Sequence, residues 1–179
     1  MRGPRPSQDK FALWLVPGGE AGRSLEALIL RLAGRYGTPP FKPHVTLMGG
    51  LRGPRDTVLA WASRLASALS PFDLGLDGLA HTGEYYRCLF FRVKESAEVM
   101  GANALAREAF GREGDLPFMP HLSLMYGELP PSVREEALRE AARLSGEGPA
   151  FRVSSLFLVS TSGEPPEWRG VRELPFSAP

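Results

Sequence analysis

Residues 41–48 read FKPHVTLM and residues 118–125 read FMPHLSLM, 77 positions apart. Two of only three histidines, His44 and His121, therefore stand in nearly the same phrase. Each is followed at i+2 by a hydroxyl residue, Thr46 or Ser123. Side chains alternate faces along a strand. His44 and Thr46 then point one way and Val45 and Leu47 the other; His121 and Ser123 share a face opposite Leu122 and Leu124. The apolar pairs can pack under helices while the polar pairs line an open face. Imidazole titrates near pH 6.5, so one ring can take a proton from water while the other gives one to a leaving oxygen. Each such role is worth roughly a hundred- to ten-thousandfold in rate. The hydroxyls can donate hydrogen bonds to the non-bridging oxygens of an anion. In-line displacement at phosphorus needs attacking and leaving oxygens on opposite sides, and two imidazoles facing across a groove meet that need.

The segments around the two phrases match in type. Residues 11–16 (FALWLV) and 88–93 (CLFFRV) read as strands. Residues 24–36 and 96–110 carry apolar side chains at helical spacing, Leu25, Leu28, Ile29 and Leu32 in the first, Val99, Ala102 and Ala106 in the second. A further helix follows each phrase. One spans 56–69, with Asp56 as N-cap and Pro71 beyond its end; the other spans 132–145, with a Ser132–Glu135 capping box and Gly146 as its stop. Strands follow near 72–80 and 150–160, and a last strand near 168–176 has no counterpart in the first half. The pattern predicts an α+β fold of two pseudo-symmetric β-α-β-α-β lobes, with antiparallel sheets facing a central cleft and a pivot at His81–Glu84. Residues 1–10 are expected to be a flexible segment and 11–179 one bilobal domain, with halves of about 11–83 and 84–176.

Bulk properties narrow the partners. The chain has 179 residues, 43% of them apolar, and a formal net charge of +1. No global field marks nucleic acid or membrane, so any anion site must be local. Arginine outnumbers lysine 18 to 3, read chiefly as genome composition. The single cysteine, Cys88, lies in an apolar run and reads as strand packing. The opening MRGPRPSQDK has no apolar signal region and no stretch has the length of a membrane span, so a cytoplasmic monomer is expected. His81, in LAHTG, lacks the i+2 hydroxyl and is assigned to a turn or the surface. Metal-ligand spacing is absent, so neither metal nor cofactor is expected. Lys42 and Arg87 are taken as rim charges beside the groove.

Two H-x-[T/S]-hydrophobic motifs, one per half, resemble those of the 2H (two-histidine) phosphoesterase superfamily. PHVTLMGG, PFMPHLSLMYG and the early strand with Trp14 and Pro17 are most similar to its cyclic phosphodiesterase family, over about Phe11 to Phe176. The resemblance implies metal-independent hydrolysis of ADP-ribose 1″,2″-cyclic phosphate or nucleoside 2′,3′-cyclic phosphates, leaving a 2′-phosphate. It implies His44 as general acid and His121 as general base, Thr46 and Ser123 as phosphate contacts, and Tyr126 and Trp14 as aromatic faces for a base or ribose. Strict alternation places Tyr126 with Leu122 and Leu124, away from His121, unless the strand ends or bulges before Gly127. Trp14 has strand core as its alternative. Two other readings stand beside this one. An RNA 2′,3′-cyclic phosphodiesterase acting in RNA processing would need a broad basic surface; a non-catalytic nucleotide- or RNA-binding module would need no proton shuttle.

Overall fold

The first repeat lays down Lys10–Leu15 (β1), Gly19–Tyr36 (α1), Val45–Arg52 (β2), Arg55–Ser67 (α2), Phe72–Leu74 (β3) and Leu76–His81 (β4). The second lays down Leu89–Val93 (β5), Ala97–Phe110 (α3), His121–Met125 (β6), Pro131–Ser145 (α4), Phe151–Val153 (β7) and Ser155–Ser160 (β8), and Arg169–Pro175 (β9) ends the chain. These elements come from a computed structural model that describes residues 9–146 and 148–177. Most of the expected flexible segment 1–10 lies outside the described residues, although Lys10 already begins β1.

Seven strands form one antiparallel sheet in the order β4-β5-β6-β2-β1-β8-β9, and β3 pairs with β7 in a separate ribbon. The two expected sheets are thus joined edge to edge. Their seam is a single pair, Val45 opposite Leu122. These residues are repeat counterparts, and so, nearly, are Asp73 and Arg152, paired in the ribbon. A pseudo-twofold axis must pass where a segment pairs with its own counterpart.

The repeats exchange parts across this axis. β4 of the first repeat pairs with β5 of the second, and β8 of the second pairs with β1 of the first. The helices cross as well: α1 packs on β6 and α3 on β2, with α4 over β4 and β5 and α2 over β8 and β9. The division near residues 83 and 84 therefore separates the repeats but not the packed halves. β9 repeats β5, since the β8–β9 hairpin repeats the β4–β5 hairpin; β5 belongs to the second half, so β9 has no counterpart in the first.

Alternation separates the two faces of β1. Phe11, Leu13 and Leu15 join the main core beneath the helices, while Ala12 and Trp14 sit in a small cluster on the opposite face with Val159. Each fully buried Leu or Phe in the main core contributes about 1.5–3 kcal/mol. Arg31, Arg35 and Tyr36 of α1 converge on buried Glu140 of α4, tying the two helices together.

Four local expectations are corrected. α1 begins at Gly19, because its first turn, Gly-Glu-Ala-Gly, carries no large apolar side chain and so hides the period. Pro54 and Pro130, not Asp56 and Ser132, occupy the N-cap positions of α2 and α4. The capping box at Ser132–Glu135 is absent, since Pro131 opens the helix with no N–H to satisfy. His81, expected in a turn or at the surface, is not in a turn: it ends β4, half-buried opposite Leu89.

Candidate active site

Each histidine sits at the start of its motif strand, beside the seam. His44 Nδ1 lies 2.7 Å from the Lys42 carbonyl, and His121 Nδ1 lies 3.0 Å from the Met119 carbonyl. Lys42 and Met119 are repeat counterparts, so the two rings are held in the same way. A carbonyl can only accept, so each Nδ1 carries the proton and each Nε2 is left as a lone-pair acceptor in the neutral ring. Both rings open on one cavity of about 430 Å³, which Thr46, Ser123, Tyr126 and Trp14 also line.

The strands carry matching bulges. Leu13 faces Met48 and Trp14 faces Thr46, leaving Leu47 as an extra residue in β2. Leu89 faces Met125 and Phe90 faces Ser123, leaving Leu124 extra in β6. A bulge reverses the alternation beyond it. Met48 and Met125 therefore turn into the core, while Gly49 and Tyr126, again counterparts, turn to the cavity. This resolves the conflict over Tyr126 that alternation alone creates. Gly50 (φ 66°) and Gly127 (φ 154°) end the motifs in backbone that favours glycine. Buried Asn103 of α3 donates to the Leu47 carbonyl at 2.8 Å, satisfying the acceptor at the bulge.

The two imidazoles differ in surroundings. His44 is buried and stacks on Trp14 with centroids 3.6 Å apart and planes 9° apart. Its Nε2 lies 3.4 Å from the Tyr126 hydroxyl. Burial, aided by the charge of His121 and opposed by the Lys42 carbonyl, lowers its pKa to about 4. His121 has Phe90 at its edge, centroids 5.5 Å apart. Burial also lowers its pKa, against the Met119 carbonyl, and the Arg87 guanidinium lowers it further. Burial, with Tyr86 and Tyr85 nearby, raises the Tyr126 phenol, so Tyr126 stays neutral and takes part only through hydrogen bonds.

The hydroxyls differ too. Thr46 makes no side-chain hydrogen bond among the described residues, whereas Ser123 Oγ donates to the Tyr86 carbonyl at 2.7 Å. Ser123 would have to rotate before it could donate to an anion. Thr46 is ready to donate.

A profile of the 2′-5′ RNA ligase superfamily matches residues 21–165. The chain belongs to that superfamily, the two-histidine phosphoesterases. A protein of Arabidopsis thaliana named cyclic phosphodiesterase is 26% identical over 159 residues, covering 88% of each chain. Escherichia coli LigT, solved in complex with 3′-AMP, is 15% identical with a TM-score of 0.65, over 96% of this chain and 99% of its own. TT0787 of Thermus thermophilus is 19% identical with a TM-score of 0.62, over 93% of this chain and 97% of its own. At such identity the solved structures establish the shared fold.

In this superfamily member, His44, His121, Thr46, Ser123, Tyr126 and Trp14 are all brought to one cavity. Trp14 and Tyr126, however, do not present open faces. Trp14 is covered by His44, and Tyr126 stacks on Phe41 at 3.7 Å. Arg87 is more than a rim charge: it lines the cavity beside His121 while pairing with Glu84. Lys42 is exposed and pairs with Glu26 away from the cavity. Tyr86, Trp168 and Asn103 were not singled out from the sequence. Tyr86 and Trp168 lie in loops with no period to read, and Asn103 is one polar letter within a helix. Among the described residues no three His, Cys, Asp or Glu side chains gather where an ion would sit, and no helix is long and apolar enough to cross a membrane.

Proposed function

We propose that the chain is a cyclic phosphodiesterase that opens 2′,3′-cyclic nucleotides, leaving a 2′-phosphate, or ADP-ribose 1″,2″-cyclic phosphate. The observation that carries this reading is the pair of identically held imidazoles, each with Nε2 free of backbone, opening on one cavity. Water attacks phosphorus and passes a proton to His121 Nε2. The bond from phosphorus to the 3′ oxygen breaks, and that oxygen takes the Nε2 proton of His44. Thr46, and Ser123 after rotation, hold the non-bridging oxygens. His121 suits the base because Arg87 helps to keep it neutral. His44 suits the acid because the Trp14 π face favours an imidazolium once an anion has arrived. No step calls on a metal. The Arabidopsis relative's name and the 3′-AMP held by LigT support a nucleotide phosphate as substrate, and the cavity volume falls in the ordinary range for small-molecule sites.

The test is incubation with 2′,3′-cyclic AMP in a chelator, followed by phosphorus NMR. Conversion to 2′-AMP, lost in His44→Ala and His121→Ala, is expected. No conversion of any cyclic phosphate between pH 5 and 8 would refute the reading.

A second reading, action on RNA ends, has one observation in its favour. A neighbouring cavity of about 450 Å³ shares Thr46, Arg87 and His121 with the first and adds Arg107 and Arg112. Those two arginines are already engaged, with the carbonyls of Asp115 and Leu116 and with the Asp115 carboxylate. RNA-end binding would fall steeply with salt; mononucleotide turnover would not.

A further inference from the structure

The loops that close the β4–β5 and β8–β9 hairpins are copies of each other. Thr82-Gly83-Glu84 and Thr161-Ser162-Gly163-Glu164 each lead into one turn of 3₁₀ helix, at Tyr85–Arg87 and Pro165–Glu167. The two hairpins lie at opposite ends of the sheet, yet both loops return over the catalytic cavity, one through Tyr86 and Arg87, the other through Gly163 and Trp168. At its mouth the Tyr86 and Trp168 rings approach to 6.1 Å between centroids, tilted by 32°.

These two rings differ from the other aromatics of the site. Trp14 and Tyr126 are buried and already stacked on His44 and Phe41. Tyr86 is 53% exposed, and its hydroxyl makes no hydrogen bond among the described residues. Its contacts with Tyr85 and Tyr126 are T-shaped rather than stacked, at 4.9 and 5.3 Å between centroids, so the exposed ring can still take a stacking ligand. Trp168 is the firmer wall: its Nε1 donates to the Gly163 carbonyl at 3.1 Å, and Pro165 and Pro166 stiffen the turn before it. Its ring centroid lies 6.5 Å from that of His44, one sugar's reach from the proposed proton donor.

We infer that Tyr86 and Trp168 form a clamp that sandwiches the nucleobase of the substrate while its cyclic phosphate lies between the histidines. The inference rests on the proposed function for the phosphate end and adds the recognition of the base, selecting nucleotides over base-free sugar cyclic phosphates. The stacked pairs elsewhere in this site stand 3.6 and 3.7 Å apart, so a base between two rings needs about 7 Å. The clamp must therefore open by about 1 Å from 6.1 Å, and exposed Tyr86 is the wall free to move. Ser123 holds the Tyr86 carbonyl, so the clamp is tied to the phosphate-binding motif.

Calorimetric binding of 2′-AMP and of methyl riboside 2-phosphate, the same phosphate without a base, tests the clamp independently of turnover. The wild type should bind 2′-AMP more tightly. Tyr86→Ala should weaken 2′-AMP by roughly five- to a hundredfold, the range that stacking of one base supplies, and leave the base-free ligand within about twofold. Tyr86→Phe should retain wild-type binding, because the clamp uses the ring face. Equal loss for both ligands, no preference for 2′-AMP in the wild type, or no binding of either overturns the clamp. Base-dependent binding without hydrolysis of 2′,3′-cyclic AMP would overturn the catalytic reading and leave the clamp standing; hydrolysis without base dependence would do the reverse.

Discussion

Nδ1 of each imidazole is fixed by the carbonyl two residues earlier, so the difference between His44 and His121 comes from their neighbours. If His44 protonates the leaving oxygen, its loss should matter less where that oxygen needs little help. His44→Ala is expected to lose roughly a hundred- to ten-thousandfold in kcat on 2′,3′-cyclic AMP but far less on catechol cyclic phosphate, whose phenolate departs readily. His121→Ala should damage both reactions alike; the opposite pattern would exchange the two roles. Acidity gives a second handle. Burial holds His44 down at about 4 and lowers His121 as well. The pair titrates as a unit, so the maximum of kcat/KM against pH should fall below about 6.5, the ordinary imidazole value. The maximum in kcat should lie higher, because a bound phosphate anion favours both imidazolium forms. A kcat/KM maximum on the alkaline side of neutrality would contradict this pairing. Stability should follow the same sign. A depressed histidine contributes fully above its unfolded value and loses that contribution as pH falls toward its folded one. Urea melts should show roughly 3 kcal/mol lost to His44 between pH 6.5 and about 4, and His44→Gln should lack that component. At this scale the repeated letters exposed the histidines and hydroxyls, because alternation along a strand is a local rule. It could not foresee that Ser123 would be tied to Tyr86, because a contact across 37 positions leaves no local mark.

Leu47 and Leu124 each add a residue to a strand, and Tyr126 reaches the cavity only because of that addition. The bulge in β2 depends on Asn103 of α3 for its carbonyl. Asn103→Leu removes that donor and leaves a buried acceptor unpaired, a loss of about 1–3 kcal/mol that denaturant melts should register. Thr46 precedes the bulge directly, so kcat/KM for a cyclic phosphate should also fall, by up to about a hundredfold through misplacement. Unchanged activity in a destabilised variant would mean that the bulge does not position Thr46. Helices and strands were legible from their periods; their ends were less so. Pro54 and Pro130, not Asp56 and Ser132, take the cap positions, since an extended proline is compatible with the residue before a helix and needs no side-chain oxygen. The bulges were invisible because nothing in VTLMGG or LSLMYG distinguishes an extra strand residue from an ordinary one.

Neither repeat owns a complete sheet. β4 leaves the first repeat to pair with β5, and β8 returns to pair with β1. Residues 9–83 alone should then fail to fold, and so should 84–177, while the two expressed together should recover a cooperative melt and activity. A half that melts cooperatively by itself would show that strand exchange does not hold the molecule together. The repeat itself could be read from the letters, but the exchange could not, because partner choice between similar strands is decided in three dimensions. The seam carries a longer consequence. Val45 against Leu122 is the contact two identical shorter chains would make if their sheet edges met. Such a pair would have set two equal histidines across its axis, bound to play interchangeable parts. Joining them in one polypeptide lets the sides drift apart, with tryptophan against one ring and phenylalanine against the other, so that under the proposed mechanism giving and taking a proton can become separate trades.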